Sequence, residues 1–429
     1  MRQLHVWLND HLVGLLSEDN NLWRFSYDES WLSAPEEYMG FSIAPGLPVS
    51  EKIIVDGSSV RPVQWFFDNL LPEEDMRLLM AKDAKIDKAD AFGLLTYYGE
   101  ESAGSLTLLP PGQVVTCEGL APLDDEELHE RIAQLPNVPM THRAPKKMSL
   151  AGAQHKLPVN LLPDGTLQEP VGHTPSTHIL KPEHPQTHFF HQTVMNEYFC
   201  MELARRVGLN VPPVFVRYVP EPVYLIERFD RYEKNGQPHR RHTIDACQVT
   251  QLSGTYKYTA SDTERYNQLI AATRSKALTR KNLFEWVLFN YLIGNSDAHL
   301  KNLSFFITAT EIKLAPFYDL LSTVIYRQDV AWPQAELSTP FGEAHTYDAV
   351  TLEELLVFAE QLKIQKKLAL RWKDKLLEKA LGEAEHLLTL LDNQAWPEQA
   401  QLYRAGELRL VRDIVYRVIR ENSARIDAA

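Results

Sequence analysis

The sequence predicts a mixed α+β chain in which strands come first and helices dominate the later part. Three observations predict this. Alternating apolar and polar residues, typical of half-buried strands, recur between residues 4 and 229. From His242 onward, apolar residues recur at helical spacing instead. The turn-forming run Pro110-Pro111-Gly112 marks a linker after a first module. With 429 residues, the chain is long enough for two or three domains, and we expect segments 1–110, 111–230 and 231–429.

Composition and charge exclude several functional classes. The chain is 44% hydrophobic and 24% charged, which is typical of a globular protein with a large core. A net charge of -13 argues against a broad nucleic-acid-binding face. Cys117, Cys200 and Cys247 are far apart and form no Cys-x-x-Cys pair, so neither a structural zinc site nor a disulfide framework is expected. No signal peptide or apolar run long enough for a membrane span is evident, and we expect a soluble cytoplasmic protein.

The first segment has the pattern of a small α+β module. A dense aromatic stretch, Trp65-Phe66-Phe67, lies in a predicted short helix that ends at Pro72. These aromatic side chains are expected in the core rather than on a ligand platform. Predicted strands cover residues 4–8, 11–16, 23–27 and 102–110, and predicted helices cover 64–72, 73–82 and a stretch starting at 91.

The second segment carries a candidate phosphate-binding loop. A helix over 123–135 is followed by a basic, turn-rich stretch, 141–148, that we expect to be mobile. Small residues then cluster in Ser149-Leu150-Ala151-Gly152-Ala153-Gln154, ahead of a strand. Such a loop lets backbone N–H groups approach phosphate oxygens closely. Because it holds a single glycine, an ordinary hairpin turn is the better explanation of this stretch when it is taken alone.

Two further features of this segment suit a phosphoryl-transfer enzyme. A strand over 177–182 carries Lys181, and a helix over 192–207 carries Glu197. Protein kinases use a strand lysine on the ATP phosphates and a helix glutamate to hold it, although a lysine near a strand end is often merely solvated. The strand 223–231 passes from apolar to charged residues. Its backbone could bind adenine, or it could be an edge strand with charged ends.

The strongest signal follows a helix over 278–293 that is apolar nearly all round and hence buried. A polar loop then carries Asp297 and, five residues later, Asn302. A short hairpin follows, with a second strand predicted to end at Asp319. This is the spacing of a protein-kinase catalytic loop and of the metal-binding aspartate after it. Asp297 could orient an attacking hydroxyl, while Asn302 and Asp319 offer the oxygen ligands that Mg2+ prefers.

The alternative is a purely structural role, in which Asp and Asn at this spacing only cap helices and close turns. The third ligand-type residue, Asp319, shifts the balance towards a functional site because it follows after a single hairpin. Beyond it, 322–347 has an irregular pattern, and amphipathic helices are predicted over 352–359, 366–391 and 407–422.

Taken together, the motifs resemble the HipA family of serine/threonine-protein kinase toxins from bacterial toxin–antitoxin modules. The resemblance rests on 65–72, Ser149 to Lys156, 177–181, Asn196-Glu197-Tyr198, 227–231, 294–302 and 316–319. It implies a protein-kinase-like, two-lobed α+β fold with an added N-terminal α+β subdomain and a mostly helical C-terminal lobe. Segment 1–110 would be that subdomain, 111–230 the small lobe with the phosphate loop, and 231–429 the large lobe with the catalytic loop.

The resemblance also implies ATP and Mg2+ as cofactors and a role for each matching residue. Asp297 would be the catalytic aspartate, and Asn302 and Asp319 the Mg2+ ligands. Ser149 would be autophosphorylated, which silences the kinase. The ATP-binding residues would be Ala151, Gly152, Ala153 and Gln154 in the phosphate loop, Lys181 on the phosphates with Glu197 in support, Glu227 and Phe229 at the adenine, and His299. The departures are Asn295-Ser296 before Asp297, and Ala298 where the family often has glycine.

The family further implies a small helix-turn-helix antitoxin of the HipB type as partner, with DNA contacted indirectly through it. The implied substrate is a translation-related protein such as an aminoacyl-tRNA synthetase, of the glutamyl-tRNA synthetase type, whose phosphorylation inhibits growth. Two rival interpretations are a kinase-like, ATP-binding co-repressor without catalysis and a small-molecule kinase. Intact Lys181, Asp297, Asn302 and Asp319 argue against the first of these.

Overall fold

A computed structural model describes residues 1–33, 39–102, 104–113, 118–148, 150–152 and 154–427. Ser149 and Ala153 therefore lie outside the described residues. The chain divides into two compact units. The first unit comprises Met1–Lys181, Glu227–Tyr256 and Ser304–Ala315, and the second comprises Pro182–Ile226, Lys257–Leu303 and Pro316–Ala429.

Strands and helices occur in consecutive groups along the described chain. The strands are β1 (Arg2–Leu8), β2 (His11–Asp19), β3 (Leu22–Tyr27), β4 (Ile54–Val55), β5 (Leu106–Leu109), β6 (Glu118–Pro122), β7 (Leu157–Leu161), β8 (Leu167–Gly172), β9 (His178–Pro182), β10 (Val214–Tyr218), β11 (Pro222–Glu227), β12 (Arg231–Lys234), β13 (Gln237–Arg240), β14 (Thr243–Asp245), β15 (Ser304–Ile307), β16 (Ile312–Leu314), β17 (Glu336–Phe341) and β18 (Ala344–Thr346). The α-helices are α1 (Glu29–Leu32), α2 (Pro62–Asp68), α3 (Glu74–Ala84), α4 (Ala91–Tyr98), α5 (Asp125–Ala133), α6 (Thr193–Val207), α7 (Ala246–Val249), α8 (Thr263–Ala272), α9 (Lys276–Ile293), α10 (Leu352–Gln361), α11 (Lys366–Asn393), α12 (Arg404–Asp413) and α13 (Arg420–Asp427).

The first unit begins with an antiparallel sheet in the order β4-β3-β2-β1-β5. Every second residue of β3 is buried, namely Trp23, Phe25 and Tyr27, as the alternating sequence predicts. Helices α2 and α4 cover this face, with Phe67 packing on Phe25 at a ring distance of 5.7 Å. The aromatic residues of this module are thus mainly core, as predicted.

Three further sheets complete the first unit. Strands β6, β8, β7 and β9 pair antiparallel in that order. Strands β12 and β13 form a hairpin, and β15 lies between β14 and β16. The register of β7 against β9 places Leu157 opposite Leu180. Lys181 is the next residue of β9.

Buried charges lie at the centre of the first unit, around the carboxylate of Glu101. Only 1% of the surface of Glu101 is exposed to solvent. Burial alone would raise the pKa of Glu101, but the surrounding cations outweigh burial and hold that pKa well below its usual range. These cations are Lys146 at 2.8 Å, Arg240 at 2.5 Å, Arg231 at 2.7 Å and Arg228 at 3.5 Å. The stretch 141–148, expected to be mobile, therefore contributes a buried side chain to this cluster.

The second unit is mainly helical and is organised around α9. From Leu283 to Ile293 this helix is buried at nearly every position, as its all-round apolar sequence predicts. It packs against α8, α11 and α13. Helix α6 and the antiparallel pair of β10 and β11 belong to the same unit.

Three local predictions need correction. The strand predicted to end at Asp319 stops at Leu314, because Pro316 lacks an N–H donor and Asp319 has a left-handed backbone that a strand cannot adopt. Residues 322–347, expected to be irregular, contain the β17–β18 hairpin. The helix predicted over 407–422 is interrupted by a π-helical stretch, Ile414–Ile419. No helix in the described ranges has both the length and the apolar character needed to cross a membrane.

Candidate active site

The loop that carries Asp297 starts where α9 ends, at Gly294. This residue has a left-handed backbone with φ of 70°, which glycine adopts without strain. A Cβ atom there would lie 2.4 Å from Val324 Cγ2. Because no side chain fits, Gly294 both ends the helix and lets the next segment pack closely against it.

The next residue, Asn295, joins three parts of the site and was noted in the sequence only as a departure from the kinase pattern. Its side chain is buried, and its amide donates to Asn290 Oδ1 over 2.8 Å and to the Asp319 carbonyl over 3.4 Å. Its Oδ1 accepts the N–H of Asp297 at 3.1 Å. One neutral amide thus fixes the helix end, the loop that carries Asp297 and the backbone of Asp319. Only its position between an apolar helix and Asp297 could have indicated this role.

Asp297 is exposed at the surface of the second unit. The phenol of Tyr258 donates a hydrogen bond of 2.6 Å to Asp297 Oδ1. The ring of Tyr258 lies edge-on to the imidazole of His299, with centroids 4.9 Å apart. His299 itself is buried. The sequence did not single out Tyr258, since nothing local connects it with Asp297.

Asn302 and Asp319 lie side by side, as the predicted metal-ligand roles require. Asn302 Nδ2 donates to Asp319 Oδ2 over 3.0 Å, and Asn302 Oδ1 accepts the N–H of His299 at 3.0 Å. Asp319 has φ of 57°, and such backbone strain in a residue other than glycine is often found at functional sites.

This pair suits Mg2+ because carboxylate and amide oxygens are its preferred protein ligands. The amide nitrogen of Asn302 faces Asp319 Oδ2, and its oxygen accepts the N–H of His299. Within the described part of the chain, no group of three or more His, Cys, Asp or Glu side chains could hold a metal ion unaided.

The segment around Asp319 is fastened on both sides. The Tyr318 phenol donates to the Lys301 carbonyl over 2.8 Å. Past Asp319, the buried Asn196 of α6 exchanges two hydrogen bonds of 2.8 Å with the backbone of Ser322. Helix α6 thereby holds the chain just after the candidate metal ligand.

Glu197, next to Asn196 on α6, is also buried. Burial raises the pKa of Tyr224 well above its usual range, and the charges of Glu197 and Asp319 add to this rise. The phenol therefore lies close to both carboxylates. The second unit thus brings together Glu197, Asp297, His299, Asn302 and Asp319.

The remaining predicted residues lie in the first unit. Lys181 is buried at the end of β9, which excludes the alternative of a merely solvated lysine. Glu227 is exposed at the end of β11, and Phe229 packs on Phe306 with centroids 5.9 Å apart.

The described part of the candidate phosphate loop comprises Ala151, Gly152 and Gln154, which are all half-buried. Gly152 has φ of 107°. A Cβ atom there would lie 2.5 Å from Lys156 Nζ, which donates to the Ala151 carbonyl over 2.8 Å. The loop is therefore a tight turn closed by its own lysine.

Two family models match the chain. The HipA N-terminal domain matches residues 4–109, and the HipA-like C-terminal domain matches residues 148–384. The chain belongs to the HipA family. The predicted family and the predicted enzyme class, a serine/threonine-protein kinase, are confirmed at the level of this family.

Two individual proteins similar in sequence to this chain support the family assignment. The serine/threonine-protein kinase toxin HipA of Shewanella oneidensis is 32% identical over 345 residues, which cover 75% of this chain and 76% of that protein. The Sinorhizobium fredii protein Y4mE is 35% identical over 340 residues, which cover 76% of this chain and 78% of that protein.

The fold agrees as well. A solved complex of HipA and HipB with operator DNA from Shewanella oneidensis matches with a TM-score of 0.76 at 25% identity, over 99% of this chain and 100% of that one. The predicted mixed α+β, kinase-like fold class is therefore confirmed.

Proposed function

We propose that this HipA-family chain is an ATP- and Mg2+-dependent serine/threonine-protein kinase that acts as the toxin of a toxin–antitoxin module. The observation that carries the proposal is the arrangement of the second unit. Asp297 is exposed and oriented by hydrogen bonds. Asn302 and Asp319 share a hydrogen bond of 3.0 Å. An orienting carboxylate and a pair of oxygen ligands are the parts that phosphoryl transfer requires.

In the second unit, Asp297 would orient the acceptor hydroxyl and receive its proton. Asn302 and Asp319 would hold Mg2+, which neutralises phosphate charge when bound. His299 would contact ATP, and Glu197 would support Lys181. The fixed backbone of the loop favours this role, because catalysis of phosphoryl transfer depends chiefly on positioning.

In the first unit, Lys181 would contact the phosphates, and the backbone of Glu227 and Phe229 would bind adenine. The loop from Ala151 to Gln154, including Ala153, would cover the phosphates. Autophosphorylation of Ser149 would place about 1.5 to 2 negative charges next to a site that binds anions, which would expel the loop and silence the enzyme.

We further propose the three segments 1–110, 111–230 and 231–429 as N-terminal subdomain, small lobe and large lobe. The proposed partner is a HipB-like helix-turn-helix antitoxin, with DNA reached through it. This is supported by the HipA–HipB–DNA complex of the Shewanella relative. The proposed substrate is an aminoacyl-tRNA synthetase such as the glutamyl enzyme, phosphorylated in the cytoplasm.

The decisive experiment compares wild type with Asp297→Asn. Each phosphatase-treated protein is incubated with Mg2+ and ATP, and its intact mass and the formation of ADP are measured. We expect wild type to gain one phosphoryl group at Ser149 and Asp297→Asn to lose about 100- to 10,000-fold in rate. Asp329→Asn is the control, because Asp329 is also an exposed aspartate, 66% accessible and 3.6 Å from Arg327.

Wild-type rates in Asp297→Asn would overturn the assignment of Asp297. Binding of ATP without turnover by wild type would instead support the co-repressor interpretation, and phosphate on a metabolite would support a small-molecule kinase. The toxin role is tested separately by expression in a bacterium. Growth should slow with wild type, recover with a co-expressed antitoxin and remain normal with Asp297→Asn.

A further inference from the structure

Tyr258 is placed to act on the candidate catalytic carboxylate. It follows the turn Gly254–Tyr256 and precedes α8, and it is 44% exposed. Its hydroxyl donates to Asp297 Oδ1 over 2.6 Å. A hydrogen bond to a charged acceptor is stronger than one between neutral groups. This bond therefore favours one orientation of the Asp297 carboxylate.

The backbone around Tyr258 is joined directly to the catalytic loop. The N–H of Leu300 donates to the Lys257 carbonyl over 3.3 Å. That same carbonyl accepts the hydroxyl of Ser261 at 2.9 Å, and the Ser261 N–H donates to the Tyr258 carbonyl at 2.9 Å. The segment from Lys257 to Ser261 is therefore fixed against the loop that carries Asp297.

The ring of Tyr258 has two close neighbours. One contact is the edge-on packing against His299, at 4.9 Å and an interplanar angle of 78°. The other is the ammonium of the buried Lys257, which lies 4.9 Å from the ring centroid. Because backbone, ring and hydroxyl are all fixed, the contact with Asp297 belongs to a built arrangement and is more than a chance surface contact.

We propose that Tyr258 is a positioning residue for phosphoryl transfer, which holds the carboxylate of Asp297 in the orientation that receives the acceptor hydroxyl. This inference rests on the proposed role of Asp297. Asn295 fixes the backbone of Asp297 through a bond of 3.1 Å, and Tyr258 fixes its side chain. The two bonds thus act on different parts of Asp297, one on its backbone and one on its carboxylate.

The test is Tyr258→Phe, which removes only the hydroxyl. We expect the rate of ADP formation at saturating Mg2+ and ATP to fall about 10- to 100-fold, since one hydrogen bond to a charged group is lost. The ATP concentration at half-maximal rate should stay unchanged. The acidic limb of the pH–rate profile should move to higher pH, because the lost donor stabilised the ionised carboxylate. A purely structural role would not move this limb.

Tyr256→Phe is the matched control, because Tyr256 is a nearby tyrosine in the sequence and is 53% exposed. It should keep the wild-type rate and pH profile. A faster reaction in Tyr258→Phe would overturn the proposal, since it would mean that the phenol occupies the place of the acceptor hydroxyl. An unchanged rate and profile would overturn it as well.

A measurement without turnover separates this inference from the proposed function. The carboxyl-carbon NMR signal of Asp297, assigned by its absence in Asp297→Asn, should shift in Tyr258→Phe and not in Tyr256→Phe. If wild type forms no ADP, the proposed function fails, whereas the NMR shift still shows whether Tyr258 orients Asp297. If the shift is absent, the proposed role of Tyr258 fails on its own.

Discussion

Glu101 of the first unit and Asp297 of the second unit differ in their exposure to solvent. In the first unit, Glu101 is buried among four cations at 2.5 to 3.5 Å. In the second unit, Asp297 faces solvent, its Oδ1 accepts the Tyr258 hydroxyl, and its N–H donates to the Asn295 amide oxygen. The first arrangement balances buried charge with charge and stabilises the fold. The second orients a charge yet leaves it accessible, which is what a reaction needs.

The largest expected effect is on stability, when the buried carboxylate of the first unit is replaced. Glu101→Gln removes the negative charge at the centre of four buried cations. We therefore expect the free energy of unfolding to fall by about 3–5 kcal/mol. Urea unfolding followed by circular dichroism measures this. The control is Glu130→Gln, which removes an exposed pair with Arg143 at 3.0 Å and should cost less than about 1 kcal/mol. Equal losses in both variants would mean that the buried cluster is not stabilising.

The pH dependence of that loss sharpens the comparison. The pKa of Glu101 lies well below its ordinary value in the folded state. Its stabilising contribution is therefore complete above the ordinary glutamate range and is lost as pH falls through the lowered folded pKa. The difference in unfolding free energy between wild type and Glu101→Gln should stay constant from pH 8 to about pH 5. A difference that shrinks already near neutral pH would contradict this.

A smaller effect is expected for Asn295→Ala in the second unit. Loss of its three hydrogen bonds should lower the free energy of unfolding by about 1–3 kcal/mol and the rate of phosphoryl transfer by roughly 10- to 100-fold. The control is Asn267→Ala. Asn267 lies on α8, and its side chain donates two hydrogen bonds of 2.9 Å, to the carbonyls of Thr263 and Gln361. The control should lose stability alone. Full activity in Asn295→Ala would show that loop orientation does not depend on this amide.

The last effect concerns a buried carboxylate of the second unit whose pKa shifts in the opposite direction to that of Glu101. Glu407 is 1% exposed and accepts the Tyr218 hydroxyl at 2.9 Å. Its Oε1 has no hydrogen-bond partner among the described residues. Burial raises the pKa of Glu407 to about 7, against the lowering effect of the Tyr218 bond, and nearby Glu183 adds to the rise.

A raised carboxyl pKa means that the folded state keeps a proton that the unfolded chain releases. Stability should therefore fall as pH rises from about 4.5 to 7, by up to about 1.4 kcal/mol per pH unit for one such group. Glu407→Gln should flatten this slope in thermal unfolding measured across that range. Glu398→Gln, at an exposed position, should leave it unchanged. A slope that persists fully in Glu407→Gln would contradict the assignment.

The sequence by itself determined the parts of this protein that depend on local pattern. Alternation in β3 and all-round apolarity in α9 predicted elements that the structure contains. The spacing of Asp297, Asn302 and Asp319 indicated a phosphoryl-transfer site, because a loop and a short hairpin keep residues that are close in sequence close in space. The end of the second strand was placed wrongly, since Pro316 and the left-handed Asp319 break the pattern of alternation.

Only the tertiary structure decided which polar groups meet across long stretches of chain. Tyr258 reaches Asp297 over 39 residues, and Lys146 reaches Glu101 over 45. Sequence periodicity reports which face of an element is apolar, but not which element covers it. Whether a charge is solvated, paired or oriented depends on that covering. The candidate site residues could therefore be proposed from the sequence, whereas the groups that hold them in place could not.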